Sequence, residues 1–182
     1  MLIPKDVEIC LEAQANQVGL KGILPVLVGI VMTESSGRWD ALRHEPAYRW
    51  VVNARTGKAF RKLTPAEAKS KTPPEDFPGV PLVSDAQKEW DDQRTSWGPM
   101  QVMGAVAREL GFTGDLAELS SHLGVEYGVK HFKALHTQFI NEDGIEGVVE
   151  AYNRGSPDDS ERTTYARKVF GYAEQFRKQA GG

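Results

Sequence analysis

The feature that most constrains this chain is one apolar run, residues 22–32, which Pro25 interrupts. Residues 24–34 are apolar on nearly every side of a helix, so they predict a helix buried in the core, with Pro25 in its first turn. The run is far shorter than the roughly 20 apolar residues that a membrane-spanning helix needs. We therefore expect no membrane insertion, and other helices must cover this one.

Several further segments have the periodicity of amphipathic helices. A first helix is predicted over residues 5–18, just before Gly19. Later helices are predicted over residues 99–110, 121–140, 145–155 and 165–179. Since no strand-like alternation of useful length occurs, the sequence predicts an all-α fold.

Residues 38–95 differ in character from the rest of the chain. They hold six of the ten prolines and many charges, which predicts a long excursion from the helical body. Two short helices are expected within it, at Thr64-Pro65-Ala66-Glu67 and Ser84-Asp85-Ala86-Gln87, because each places a hydroxyl three residues before Glu or Gln. We expect a single domain over residues 1–182, whose excursion walls a cleft and has room for a small β element.

Charge and cysteine content exclude several classes of protein. With 22 basic and 25 acidic residues the net charge is −3, too mild and too mixed for a nucleic-acid surface. Cys10 is the one cysteine, so we expect a small buried apolar residue and no internal disulfide. Asp6, Glu8 and Glu12 stand where the basic region of a signal peptide belongs, so none is expected.

The histidines and glycines predict neither metal nor cofactor. His131 and His136 lie five residues apart without a His-Glu-x-x-His arrangement, and His44 and His122 are distant from them in sequence. Phosphate-binding loops, dinucleotide-binding glycine patterns and Gly-x-Ser-x-Gly elbows do not occur in the sequence.

Glu34 is the candidate catalytic residue, because it ends the apolar helix just before Ser35-Ser36-Gly37. Burial disfavours a charged carboxylate, and so does the partial negative charge at a helix C-terminus. Both effects raise the pKa of Glu34 toward the working pH, as a general acid for glycosidic cleavage requires. The alternative is that Glu34 simply turns out to solvent at a helix end.

Three later segments follow in a recognisable order. They are Ser96-Trp97-Gly98-Pro99-Met100-Gln101-Val102-Met103, Ala151-Tyr152-Asn153-Arg154-Gly155 and Glu161-Arg162-Thr163-Thr164-Tyr165-Ala166-Arg167-Lys168-Val169. Together with Glu34-Ser35-Ser36-Gly37, they resemble the soluble lytic transglycosylase and goose-type lysozyme superfamily, in its phage-type members. That resemblance implies a mainly α, lysozyme-like fold that cleaves the glycan strands of bacterial peptidoglycan.

The resemblance implies a role for each matching residue. Glu34 is the expected catalytic acid and base, and Ser35 is expected to fix the turn and the substrate. The residues expected to line the glycan cleft around Glu34 are Gln101, Tyr152, Asn153 and Tyr165. From the residues themselves, the Gln101 amide suits sugar hydroxyl or acetamido groups, and a phenol at Tyr152 could reach the Glu34 carboxyl.

Two reaction types stay open at this stage. In the lytic transglycosylase route, Glu34 protonates the bond between N-acetylmuramic acid and N-acetylglucosamine and then deprotonates the C6 hydroxyl, which closes a 1,6-anhydro ring. Alternatively, Glu45, in an Arg43–Trp50 segment like one in phage-type members, holds a water for a hydrolytic muramidase. Asp40 is the weaker second candidate, since a solvated surface acid is its commoner state.

Four aromatic residues bracket the expected cleft in sequence: Trp39, Tyr48, Trp50 and Trp97. Flat aromatic faces suit pyranose rings, so we expect at least one of them to be a sugar platform, although large aromatics also fill cores.

A chain of this kind suits a phage endolysin or a virion-associated lysin that acts as a monomer on peptidoglycan glycan strands. It would be made in the host cytoplasm and reach the cell wall after holin release or within the virion. The alternative from another class is a non-catalytic glycan-binding or particle-assembly protein that keeps the fold.

Overall fold

The apolar run forms a buried helix at the centre of a mainly helical structure. The computed structural model describes residues 2–157 and 164–180. Its elements in chain order are α1 (Lys5–Gln17), α2 (Leu24–Glu34), β1 (Leu42–His44), β2 (Val52–Asn53), β3 (Lys58–Ala59), α3 (Pro65–Lys69), α4 (Ala86–Gln93), β4 (Thr95–Trp97), β5 (Val102–Met103), α5 (Gly104–Glu109), α6 (His122–Arg154) and α7 (Thr164–Ala180). Of the described residues, 58% are helical and 8% are in strands, so the fold is mainly α with a small β element.

Helix α2 has Pro25 in its first turn, and its residues 26–31 are all buried, as the sequence predicts. Helix α7 packs against it so closely that a Cβ added at Gly29 would lie 2.2 Å from the carbonyl oxygen of Val169. Glycine at position 29 is therefore required by this approach of two backbones. The contact matters for the site because α7 also carries Tyr165.

The two helices predicted over residues 121–140 and 145–155 are joined into the long helix α6, which has one break. Gly144 takes φ 63° and ψ −172°, a conformation outside the helical region. Gly155, with φ 86°, ends the helix in the left-handed conformation that glycine adopts without steric cost. The predicted division of this segment is confirmed, with the break placed at a single residue.

The helix predicted over residues 99–110 is wrong at its start. Gly98 and Gln101 have φ values of 67° and 49°, so residues 98–101 form a tight turn. This turn lets β5 pair antiparallel with β4, and β1 pairs with the other edge of β4, in the order β1-β4-β5. Helix α5 begins only at Gly104, and the sheet extends beyond the excursion in which a β element was expected.

The excursion contains both predicted short helices. Thr64 caps α3 with a capping box, since its hydroxyl accepts from the Glu67 N–H and its own N–H donates to the Glu67 carboxylate. The cap predicted at Ser84 is wrong by one residue. The Asp85 carboxylate caps α4, because an acidic side chain satisfies the first free N–H groups of a helix as well as a hydroxyl does, and Ser84 instead donates to Glu89.

Cys10 is only partly buried, and its Sγ lies 4.0 Å from the carbonyl oxygen of His122. Among the described residues, no helix has the length and apolarity required to span a membrane. The same residues contain no cluster of three or more His, Cys, Asp or Glu side chains placed to hold a metal ion.

The contact between α2 and α7 gives the first testable prediction. Gly29→Ala should lower the free energy of unfolding by about 1–3 kcal/mol, the range for overpacking a core, because the new methyl group displaces the α7 backbone. Gly171→Ala is the matched control, since that glycine of α7 has no atom within 4 Å of an added Cβ. It should stabilise the helix by up to about 1 kcal/mol. Equal unfolding midpoints for the two variants in urea would contradict the packing described here.

Candidate active site

A cleft of about 370 Å³ opens at the C-terminal end of α2. Its lining comes from four parts of the chain: the end of α2, residues 43–50 of the excursion, the β4–β5 region and the end of α6. Five of the seven sequence-predicted site residues line it, namely Glu34, Glu45, Gln101, Tyr152 and Asn153. Residues that are far apart in sequence are therefore brought together around one carboxyl group.

Glu34 is half-buried in this cleft and does not turn freely into solvent. The Tyr165 hydroxyl donates a hydrogen bond of 2.7 Å to its Oε1. Burial raises the pKa of the Glu34 carboxyl, while the Tyr165 hydrogen bond and the positive charge of Arg43 lower it, and burial prevails. Burial and the adjacent carboxylate in turn raise the pKa of the Tyr165 phenol, so it stays a hydrogen-bond donor.

Tyr152 does not make the contact with Glu34 that the sequence suggested. Its hydroxyl donates to the carbonyl oxygen of Met100 at 2.8 Å, and its ring lies 5.3 Å from that of His131. Tyr165 reaches Glu34 instead, because α7 runs antiparallel to α2. Val169 of α7 lies against Gly29 of α2. Tyr165 lies one helical turn earlier in α7 and is therefore beside Glu34 at the end of α2.

Ser35 fixes the turn after α2, and it is not among the residues that line the cleft. The Ser35 hydroxyl is buried, lies 2.7 Å from the carbonyl oxygen of Pro99 and accepts from the Gly37 N–H at 3.0 Å. These backbone groups occupy the hydroxyl, because a buried polar atom is stable only when it is hydrogen-bonded. Ser35 thus ties the end of the Glu34 helix to the β4–β5 turn.

Gln101 lines the cleft with an amide that the protein itself uses. Its Nε2 donates to the carbonyl oxygens of Ala41 and Gly98, both at 3.0 Å, and its Oε1 accepts from the Ser96 hydroxyl at 2.9 Å. Both N–H donors of the amide are therefore engaged within the protein, and its expected contact with sugar stays a prediction. Gln101 sits in a left-handed turn, where its side chain braces the wall of the cleft.

Glu45 also lines the cleft. Its Oε1 forms an ion pair with Nε of Arg43, and the two atoms are 2.5 Å apart. Its backbone N–H donates to the carbonyl oxygen of Arg94 at 2.7 Å. The buried guanidinium of Arg94 donates to the carbonyl oxygens of Pro46, Ala68 and Ser70. Arg94 therefore holds the backbone on both sides of Glu45, whereas Asp40 is exposed and does not line the cleft.

The four bracketing aromatics divide into two pairs. Tyr48 and Trp50 line the cleft with ring centroids 5.8 Å apart, and the Trp50 side chain is 65% exposed. Trp97 is buried and its Nε1 donates to the carbonyl oxygen of Asp92, while Trp39 donates to the carboxylate of Asp6. A sugar platform can therefore come from Tyr48 or Trp50, and Trp97 and Trp39 are structural.

Four lining residues were not singled out from the sequence as site residues: Arg43, Ala47, Ser96 and Met103. The sequence did contain an indication that Arg43 belongs to the site. Arg43 stands two residues before Glu45 in an extended segment, and side chains two apart in a strand share a face. Ser96 and Met103 are paired residues of β4 and β5, and nothing in the sequence indicated that pairing.

The last motif of the resemblance is described from Thr164 onward, and its residues Glu161, Arg162 and Thr163 lie outside the described residues. Comparisons of the chain with protein-family models, with curated proteins and with solved structures gave no match. The geometry of the cleft provides a carboxyl group with a raised pKa, one phenol that donates to it, and a second carboxylate on the same surface. Such a set is able to donate and recover a proton at a bound substrate.

Proposed function

We propose that this protein cleaves the β-1,4 glycosidic bond between N-acetylmuramic acid and N-acetylglucosamine in peptidoglycan, by lytic transglycosylation. The observation that carries the proposal is the state of Glu34, a half-buried carboxyl with a raised pKa that faces an open cleft. Burying a carboxyl costs stability, so its place at the cleft surface is better explained by chemistry than by packing. A non-catalytic glycan-binding or particle-assembly protein has no use for such a carboxyl and is therefore disfavoured.

In this reaction Glu34 supplies both proton transfers. The protonated carboxyl donates to the glycosidic oxygen, so the bond to the anomeric carbon breaks and N-acetylglucosamine leaves. The acetamido group of N-acetylmuramic acid assists at the anomeric carbon in place of a carboxylate nucleophile, a recognised exception to the paired-carboxylate rule. The Glu34 carboxylate then takes the proton of the C6 hydroxyl, whose oxygen closes the 1,6-anhydro ring, and the acid is restored.

Tyr165 has a defined part in this cycle. Its hydroxyl donates to Oε1 of Glu34, so it stabilises the carboxylate that exists between the two proton transfers. Arg43 adds a positive charge that acts in the same direction. These contacts reduce the free-energy difference between the protonated carboxyl and the carboxylate of Glu34. A small difference suits a group that acts first as an acid and then as a base.

A hydrolytic muramidase is the second candidate, because Glu45 lines the same cleft as Glu34. In that reaction Glu45 would hold the attacking water. One of its two oxygens is in the ion pair with Arg43, so only the other is available to a water. The ion pair and the backbone contacts with Arg94 favour a role in holding substrate, and we therefore keep transglycosylation as the proposal.

The biological setting we propose is a phage endolysin or a virion-associated lysin that acts as a monomer on the cell wall. Release by a holin, or delivery with the particle, would bring it from the host cytoplasm to peptidoglycan. The support is the resemblance to phage-type members described above.

Glu34→Gln should reduce lysis of purified cell walls by about 10²-fold or more, since the amide has no proton to donate to the leaving oxygen. Glu12→Gln, an exposed acid of α1, is the matched control and should keep wild-type activity. The circular dichroism spectrum of Glu34→Gln should match that of the wild type. If this variant keeps more than about a tenth of wild-type activity, Glu34 is not the catalytic acid.

Wild-type activity should fall as pH rises through the raised pKa of Glu34, because only the protonated form is the acid.

Mass spectrometry of the released muropeptides distinguishes the two candidate reactions, whose products differ by one water. We expect 1,6-anhydro products from the wild type and from Glu45→Gln, with an increase in KM in the variant. Asp40→Asn, an exposed acid outside the cleft lining, should behave as wild type. Hydrated products together with a strongly reduced kcat in Glu45→Gln would establish the hydrolytic reaction, because a water-activating base acts mainly in the transition state. Hydrated products with a nearly wild-type Glu45→Gln enzyme would mean that another group activates the water.

A further inference from the structure

One wall of the cleft is formed by residues 45–52, which run from the end of β1 to the start of β2 and are called the wall segment below. Glu45, Tyr48 and Trp50 of this segment line the cleft. Every side chain from residue 45 to residue 50 is exposed or half-buried, so burial in a core does not hold this stretch. Its internal backbone hydrogen bond, from the Tyr48 N–H to the carbonyl oxygen of Glu45, closes only one turn. Contacts with another part of the chain must therefore fix the position of these cleft residues.

The first end of the wall segment is fixed by Arg94, which directly follows α4. Its carbonyl oxygen accepts from the Glu45 N–H at 2.7 Å, and its guanidinium donates to the carbonyl oxygen of Pro46. The same guanidinium donates to the carbonyl oxygens of Ala68 and Ser70 at 3.1 and 2.9 Å, so it joins the wall segment to the end of α3. Only 1% of Arg94 is exposed, and these hydrogen bonds compensate for taking its charge out of water.

The other end of the wall segment is fixed by Gln93, the last residue of α4. Its amide accepts from the Val52 N–H at 2.7 Å and donates to the Val52 carbonyl oxygen at 2.8 Å, as a paired strand would. The amide also donates to Glu89, whose carboxylate is held by the buried Arg108 of α5, so the orientation of the amide is fixed as well. Two consecutive residues at one helix end therefore hold both ends of the wall segment.

We infer that Gln93 and Arg94 are positioning residues that preform this wall of the cleft for the substrate. The inference rests on the proposed function, in which the glycan strand lies in the cleft. Neither residue lines the cleft, so each acts through the wall segment that it holds. A wall that is ordered before binding loses no backbone freedom when the glycan binds, and this increases the affinity. Glu34 and Tyr165 lie on α2 and α7, so their proton transfers do not depend on Gln93 or Arg94.

The test replaces each side chain by one of similar length that cannot hold the wall segment. Gln93→Met and Arg94→Met should each raise KM on peptidoglycan glycan strands about tenfold or more, since ordering even one backbone residue costs about that factor. They should change kcat less than about threefold, because the lost binding is common to substrate and transition state. Arg94→Lys keeps the charge without the planar fork of donors and should give an intermediate KM. If a Met variant does not fold, this milder variant carries the comparison.

Phe77→Leu is the matched control. Phe77 is buried in the same small core as Trp90 of α4, and its side chain makes no hydrogen bond to the wall segment. The substitution should lower the free energy of unfolding while leaving KM within about twofold of the wild type.

A second measurement does not require activity. The indole N–H cross-peak of Trp50 in an NMR spectrum, assigned by its loss in Trp50→Phe, should broaden or move toward the position of an unfolded tryptophan in both Met variants. The cross-peak of Trp39, whose indole donates to Asp6 at 2.6 Å, should stay in place.

A wild-type KM in the Met variants, or a fall in kcat alone, would overturn the inference. An equal rise in KM in Phe77→Leu would also overturn it, because KM would then follow stability and not the wall segment. If the wild type cleaves no glycan strand, the proposed function fails and the KM prediction fails with it. The Trp50 cross-peak still decides the positioning role in that case, and an unchanged cross-peak in both Met variants refutes it whether or not the wild type is active.

Discussion

The close approach of α7 to α2 at Gly29 determines the chemistry of the site. It fixes the register of two antiparallel helices, and that register puts the Tyr165 hydroxyl on the carboxyl of Glu34 at the end of α2. A larger residue at position 29 would separate the helices and the hydrogen-bonded pair together. The burial of Glu34, which raises its pKa, and the hydrogen bond that opposes this rise are thus consequences of one packing contact.

The wall of the cleft depends on polar side chains that bind backbone instead of substrate. Ser35 holds the β4–β5 turn against the end of α2, Gln101 ties the same turn to Ala41, and Arg94 holds the excursion on both sides of Glu45. The excursion has a small hydrophobic core of its own, formed by Val51, Leu63, Phe77 and Trp90, and buried hydrogen bonds add to its order. The lining side chains that remain to meet a ligand then include Glu34, Glu45, Asn153 and the aromatic pair Tyr48 and Trp50.

The sequence predicted the helices well where one apolar face was long, as in α1 and α7, and where nearly every side was apolar, as in α2. The position of Glu34 at the end of an apolar helix indicated the carboxyl itself, and the resemblance of the four motifs implied the other residues of the cleft. The sequence prediction failed at residues 99–103, where positive φ at Gln101 decides between helix and strand and no periodicity reports it. The sequence also suggested that Tyr152 reaches Glu34, whereas Tyr165 does so. The register between α2 and α7 that places Tyr165 there depends on packing and cannot be read from either segment alone.

The central claim is that burial raises the pKa of the Glu34 carboxyl and that the Tyr165 hydrogen bond opposes this rise. The most direct measurement is a carbon-13 NMR titration of the glutamate side-chain carboxyls, with the Glu34 resonance assigned by its absence in Glu34→Gln. The pKa of Glu34 should lie above its ordinary value of 4.5, and Tyr165→Phe should raise it further, because that variant loses a hydrogen bond to the charged form. A pKa at or below 4.5 in the wild type, or a lower pKa in Tyr165→Phe, would contradict the account.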